Sequence, residues 1–237
     1  MLTELIKELE KSGNPEQAKN LQKFFKTGPG GYAEGDIFLG IKVPVQRMIA
    51  RRYFHLTFQE IQQLLNGKIH EHRLIALLIL IEKYKKSKKS RLEQRKIFEF
   101  YLKNTHNINN WDLVDLSAPQ ILGEFLQKEG SDLLTHLAQS KNLWERRIAI
   151  ISTYSFIKKR RFGETLAISE ILLKDEHDLI HKAVGWMLRE IGKRNKKMLE
   201  LFLMQRYHKM PRVMLRYSIE KFPEDERKMW LKKKLQE

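Results

Sequence analysis

The chain has 237 residues, 42 % of them hydrophobic, enough to bury a continuous core as one large domain or a small repeat array. Cysteine is absent, which excludes disulfides, thiol nucleophiles and thiolate metal sites, and suits a reducing compartment, so the cytoplasm is the expected location. With 45 Lys+Arg against 29 Asp+Glu the net charge is +16, and nucleic acid is the leading partner class, solubility alone being the bland alternative.

In chain order, the opening MLTELIKELEKSGN lacks the apolar h-region of a signal peptide and runs to a break at Gly13 and Pro15. Gly28-Pro29-Gly30-Gly31 has neither a P-loop Lys-Ser/Thr nor a preceding strand, so Gly28 to Gly35 is a loop and not a nucleotide cradle. After breaks at Pro44 and Gly67, Leu74, Leu77, Leu78, Ile81 and Tyr84 recur at helical spacing. The apolar run Leu74 to Ile81 is too short to span a bilayer, so no membrane role is expected. Ile148, Ile151, Ser152 and Ser155 continue the helical pattern, and Gly130, Gly163, Pro211 and Pro223 mark further breaks. No alternating strand segment stands out. The expectation is an all-α chain of helices of about 12 to 20 residues joined by short turns.

A weak internal repeat favours an array. Glu71-His72-Arg73-Leu74-Ile75-Ala76 resembles Glu145-Arg146-Arg147-Ile148-Ala149-Ile150 at a separation of 74, and Ile180 through Lys182 follows at about half that distance. A period of about 37 is close to the two-helix HEAT/armadillo class, so one HEAT-like solenoid domain over 1–237 is expected. Its second helices would line a common basic concave face, with Arg73, Arg147 and Lys182 at comparable places as DNA-binding candidates. Basic clusters at Arg51-Arg52, Lys85-Lys86, Lys88-Lys89, Lys158 to Arg161, Lys193-Arg194, Lys196-Lys197 and Lys232 to Lys234 are spread along the chain and form no juxtamembrane patch. Most fall at expected helix ends, where cations also complement the helix dipole; only their repetition favours a surface that tracks phosphates.

Within Asn109-Asn110-Trp111-Asp112-Leu113-Val114-Asp115, helical spacing puts Trp111 and Asp115 on one face and Asp112 on another. An aromatic surface beside a carboxylate can serve a ligand; equally, Trp111 can be core and Asp115 a solvated charge. The segment Lys182 to Arg189, with Trp186, is open to the same two readings. The histidines do not form a metal site: His70 and His72 lie on different helix faces, and His177 and His181 lack the HExxH glutamate and a third ligand.

Four stretches carry a resemblance. They are Phe24 to Asp36 continuing Phe38-Leu39-Gly40-Ile41-Lys42-Val43-Pro44, Asn110 to Asp115, Leu143-Trp144-Glu145-Arg146-Arg147, and Lys182 to Glu190. In that order and spacing they resemble the AlkD-type DNA alkylation repair family, from about Asn14 to Trp230. The resemblance implies HEAT-like repeats and a monomeric glycosylase acting on double-stranded DNA containing alkylated bases. Its members hydrolyse the N-glycosidic bond of N7-alkylguanine and N3-alkyladenine without metal or cofactor, leaving the lesion in the duplex. It further implies catalytic roles for Trp111, Asp115 and Trp186, with Arg147 on a phosphate. The competing reading is a non-catalytic HEAT scaffold that binds DNA structures or another partner.

Overall fold

The structure, a computed structural model, describes residues 1–233. Among the described residues every regular element is helical, apart from an isolated bridge between Ile37 and Ile69. The chain divides into two compact units, Met1–Ser117 and a second from Ala118 on. The first holds α1 (Leu2–Lys11), α2 (Pro15–Phe24), α3 (Val43–Arg52), α4 (Phe58–Leu65), α5 (His70–Lys86), α6 (Arg91–Lys103) and α7 (Trp111–Ser117). The second opens with a π-helical turn, Pro119–Gly123, followed by α8 (Glu124–Glu129), α9 (Asp132–Ala138), α10 (Leu143–Ser152) and α11 (Tyr154–Lys158). It continues with α12 (Gly163–Ile171), α13 (Asp178–Gly192), α14 (Lys196–Arg206), α15 (Arg212–Ser218) and α16 (Glu224–Lys233).

The repeat is real in the helix order. The second helices of successive pairs start at His70, Trp111, Leu143, Asp178 and Arg212, in steps of 41, 32, 35 and 34 residues around the expected period. Helix lengths differ from expectation: among the described residues only α5, α6 and α13 exceed 12, at 17, 13 and 15. The chain is cut more finely because polar side chains cap helix starts inside the apolar pattern. Asn14, Ser90, Asn142 and Asn195 each accept a backbone N–H of the first turn, and Thr57 and Glu60 form a capping box. Pro119, which has no N–H to give, cannot extend the α7 ladder.

In the first unit α5 is buried on every side from His70 to Ile81, and α3, α4, α6 and α7 pack against it. The segment before α3 is bound to its first turn: the Glu71 carboxylate accepts the N–H groups of Leu39 (2.9 Å), Gly40 (2.8 Å) and Ile41 (3.2 Å). Gly40 has φ +83°, and a Cβ there would sit 2.1 Å from the Asn14 carbonyl oxygen, so only glycine fits this turn. In the second unit α13 packs against α10, α12, α14 and α15. Gly185 permits the α15 contact, since a Cβ would meet that of Tyr217 at 2.5 Å. No helix among the described residues is long and apolar enough to cross a membrane.

Candidate active site

Trp111 opens α7, its backbone N–H capped by the Asn110 side chain at 2.8 Å. The indole is half-buried and lies flat on Phe25, ring centroids 5.0 Å apart and planes within 16°. Its Nε1 donates to the Tyr32 hydroxyl at 3.1 Å, and Phe24, 63 % exposed, meets it edge-on at 5.8 Å. The segment from Phe24 to Tyr32 thus folds over the start of α7 and fixes the tryptophan. One turn on, Asp115 is also half-buried on the same helical face. Burial and the Asp115 charge together push the Tyr101 phenol above its ordinary pKa, against the effect of its 2.9 Å bond to Ser117. Beside α2, Lys19, Gln22, Lys23, Lys26, Thr27 and Gly28 line a groove of about 380 Å³ with no acidic residue in its walls.

Asp112 points into the core, away from that face, as the spacing requires. Its Oδ2 meets His70 Nε2 at 2.8 Å, and its Oδ1 accepts the Leu113 N–H. His70 Nδ1 faces Asp36 Oδ2 at 3.2 Å, and Arg73 reaches Asp36 Oδ1 at 2.7 Å and the Gly67 carbonyl at 3.0 Å. Arg73, expected on a DNA-facing surface, is therefore 4 % exposed and held by a carboxylate. Similarity of helix starts in sequence carries no information about which flank of the helix is covered.

In the second unit, Trp186 is half-buried on α13 and neighbours Tyr154, ring centroids 6.3 Å apart. Lys158 and Arg194 each stand 5.8 Å from the Tyr154 ring centroid, which makes an aromatic patch edged by cations. Lys182 is partly exposed and pairs with Asp178 at 2.5 Å, one turn earlier on the same helix. Arg147 is 5 % exposed, and its Nη1 donates to the Leu179 carbonyl in the first turn of α13. His177 and His181 serve that same helix start: His177 Nδ1 accepts the Leu179 N–H at 3.1 Å, and His181 Nε2 contacts the Asp175 carbonyl.

Many cluster cations already face carboxylates. Arg52 pairs with Glu8, Lys85 with Glu82, Lys158 with Glu124, Arg161 with Glu164 and Lys196 with Glu226. Burial opposes the Glu190 charge, but the hydrogen bonds from Lys193 and Arg194 hold its carboxyl below the usual range. Exposed pairs of this kind are worth about 0–1 kcal/mol, so a phosphate can displace them. Lys234 lies outside the described residues. Tyr32, Phe24 and His70 carry no signal in the sequence that marks them as site residues. The first two stand inside a motif that gives them no role, and His70 reads from the sequence only as a candidate metal ligand.

A family model described as DNA alkylation repair enzyme matches residues 5–222. Among solved structures the chain is similar to a predicted DNA alkylation repair enzyme from Enterococcus faecalis, with a TM-score of 0.68 at 18 % identity over 90 % of this chain and 98 % of that one. It is also similar to AlkD2 from Streptococcus mutans, with a TM-score of 0.56 at 17 % identity over 88 % of this chain and 98 % of that one. At such identities the likeness shows the helical-repeat fold. No curated protein matches it. With nearly its whole length matched, the chain belongs to the DNA alkylation repair enzyme family.

Proposed function

We propose that this protein is a monofunctional DNA glycosylase that, as a monomer and without metal or cofactor, hydrolyses the N-glycosidic bond of cationic alkylpurines in duplex DNA. The observation that carries the reading is the pair Trp111 and Asp115 on one half-exposed face of α7, a helix anchored through a buried charge network.

An N7-alkylguanine or N3-alkyladenine carries a positive charge, so the C1′–N bond breaks with its electron pair passing to the base, which leaves neutral. No general acid is needed on that leaving group. The electrostatic problem moves to the deoxyribose, where oxocarbenium character develops. A carboxylate about 4 Å from that charge contributes roughly 4 kcal/mol at an effective dielectric near 20, about a thousandfold in rate. Asp115 supplies that charge and orients the water that attacks C1′, whose proton passes to the carboxylate or to solvent. The Trp111 indole face bounds the sugar, and a developing cation over an indole is itself stabilised. On the second unit Trp186 is a further aromatic contact to DNA.

Lys182 and the lysines of the α2 groove are the phosphate contacts, and Arg147 holds the start of the helix that bears Lys182 and Trp186. Selection for the lesion follows from the lability of a charged base, so neutral lesions stay in place. Incubation with duplex DNA containing N7-methylguanine, followed by chromatography, should show the free base. Tight binding with no release would instead make the chain a non-catalytic DNA-binding member of its family.

A further inference from the structure

The buried group that the chemistry above does not use is His70. Its two ring nitrogens face two different carboxylates, Asp36 at 3.2 Å and Asp112 at 2.8 Å. A neutral imidazole has one N–H and can donate to only one of them, leaving a lone pair against the other; only the doubly protonated ring satisfies both. Its faces are engaged as well. Phe38 stacks on it at 4.5 Å, Phe25 stacks on Phe38 at 5.0 Å, and Trp111 stacks on Phe25. The contacts close on themselves, from the Trp111 indole through two phenylalanines to His70, and from His70 to Asp112, the residue next to Trp111 on α7.

That closure matters because α7 has seven residues. A helix so short has no stable direction of its own and takes its orientation from what it is tied to. His70 belongs to the first turn of α5, the most deeply buried helix of the unit, and is itself 2 % exposed. We propose that His70 is a positioning residue for base excision: bridging Asp36 and Asp112, it fixes the orientation of α7 and with it the Trp111 indole and the Asp115 carboxylate. The inference rests on the glycosylase reading of Trp111 and Asp115.

The charged groups around the ring are Asp36, Asp112 and Arg73. Burial and Arg73 oppose its proton, but the hydrogen bonds to the two carboxylates outweigh them and raise its pKa to about 9. The bridge is therefore intact at neutral pH and opens in alkali, when one carboxylate loses its donor.

The test is the single-turnover release of N7-methylguanine by saturating wild-type, His70→Gln and Asp115→Asn proteins, from about pH 7 to about pH 9.5, with uncatalysed loss subtracted. Temperatures well below each melting point and titration of the DNA-binding fraction keep unfolding out of the rate. Glutamine can donate to one carboxylate only. The release rate of His70→Gln should fall between about ten- and a hundredfold, the scale of a misplacement near 1 Å. Its affinity for undamaged duplex should change by less than about threefold, and the alkaline fall in rate seen for wild type should be absent. A support that only held the fold together would lower the melting temperature and the active fraction without changing the rate or pH profile of the folded fraction.

If His70→Gln does not fold, Asp36→Asn serves in its place. It removes one of the two carboxylates that raise the His70 pKa, so the alkaline limb should move to lower pH; an unmoved limb overturns the proposal. Full activity of Asp115→Asn would refute the underlying assignment of catalysis, and this proposal with it. An inactive Asp115→Asn beside a folded His70→Gln of wild-type rate and pH profile overturns the role of His70 alone.

Discussion

Asp115 and Asp112 lie three residues apart on one short helix, yet their surroundings divide them. Asp112 is enclosed between His70 and its own helix start, while Asp115 is half-exposed one turn from Trp111. Asp115→Asn keeps the side-chain shape but removes the charge opposite the developing oxocarbenium ion, so excision should fall by roughly two to three orders of magnitude. Duplex affinity should stay level or rise slightly, since an anion facing a polyanion is gone. Melting temperature, affinity and release measured on one preparation decide the matter: joint loss of stability and both activities would make Asp115 structural. His70 yields a second expectation. Because it binds its proton more tightly folded than unfolded, its stabilisation is full below the ordinary pKa of 6.5 and is lost as the pH rises through about 9. The change is on the order of 3 kcal/mol. Thermal melts of wild type across that window should show the loss, and a profile no steeper than that of His70→Gln would contradict it.

Among elements, the α7 segment was the most legible, because a spacing of four on a helix needs nothing beyond periodicity to put Trp111 and Asp115 on one face and Asp112 on another. What Asp112 would meet was not legible. Its partner lies 42 residues earlier in sequence, and no local pattern links a histidine after a loop to an aspartate on a later helix. Arg73 shows the same limit from the other side: its similarity to Arg147 was visible, but its burial against Asp36 depends on a segment that packs over α5 from earlier in the chain. The glycine-rich region likewise read as a loop, without sign that Tyr32 would hold the indole. The Glu71 contact gives a test at this scale. Glu71→Gln retains the side-chain shape but replaces a charged acceptor of three N–H groups, and should cost about 2 kcal/mol of stability. Denaturant unfolding checks this, and an unchanged midpoint would show that the segment before α3 is held by packing alone.

For the molecule as a whole, charge and helical period were the strongest signals, and both reflect averages that survive local surprises. The fine division into short helices was hidden because capping residues break a helix without breaking its apolar period. The charge of +16 overstates the cations ready for phosphate, since many are paired with carboxylates. Four to six phosphate contacts would lower duplex affinity by roughly a hundredfold or more between about 50 and 200 mM salt. Anisotropy titrations over that range should give a linear log–log plot insensitive to base sequence; a flat plot, or strong dependence on sequence, would contradict backbone binding. Excision by Asp115, as distinct from binding, is tested by one measurement, chromatographic assay of free N7-methylguanine released from alkylated duplex by the purified protein beside its Asp115→Asn variant. Release by the wild-type protein is expected, with release lower by roughly two to three orders of magnitude for the variant. Wild-type protein that binds the duplex and frees no base, or a folded variant that frees it at the wild-type rate, would rule out excision by Asp115.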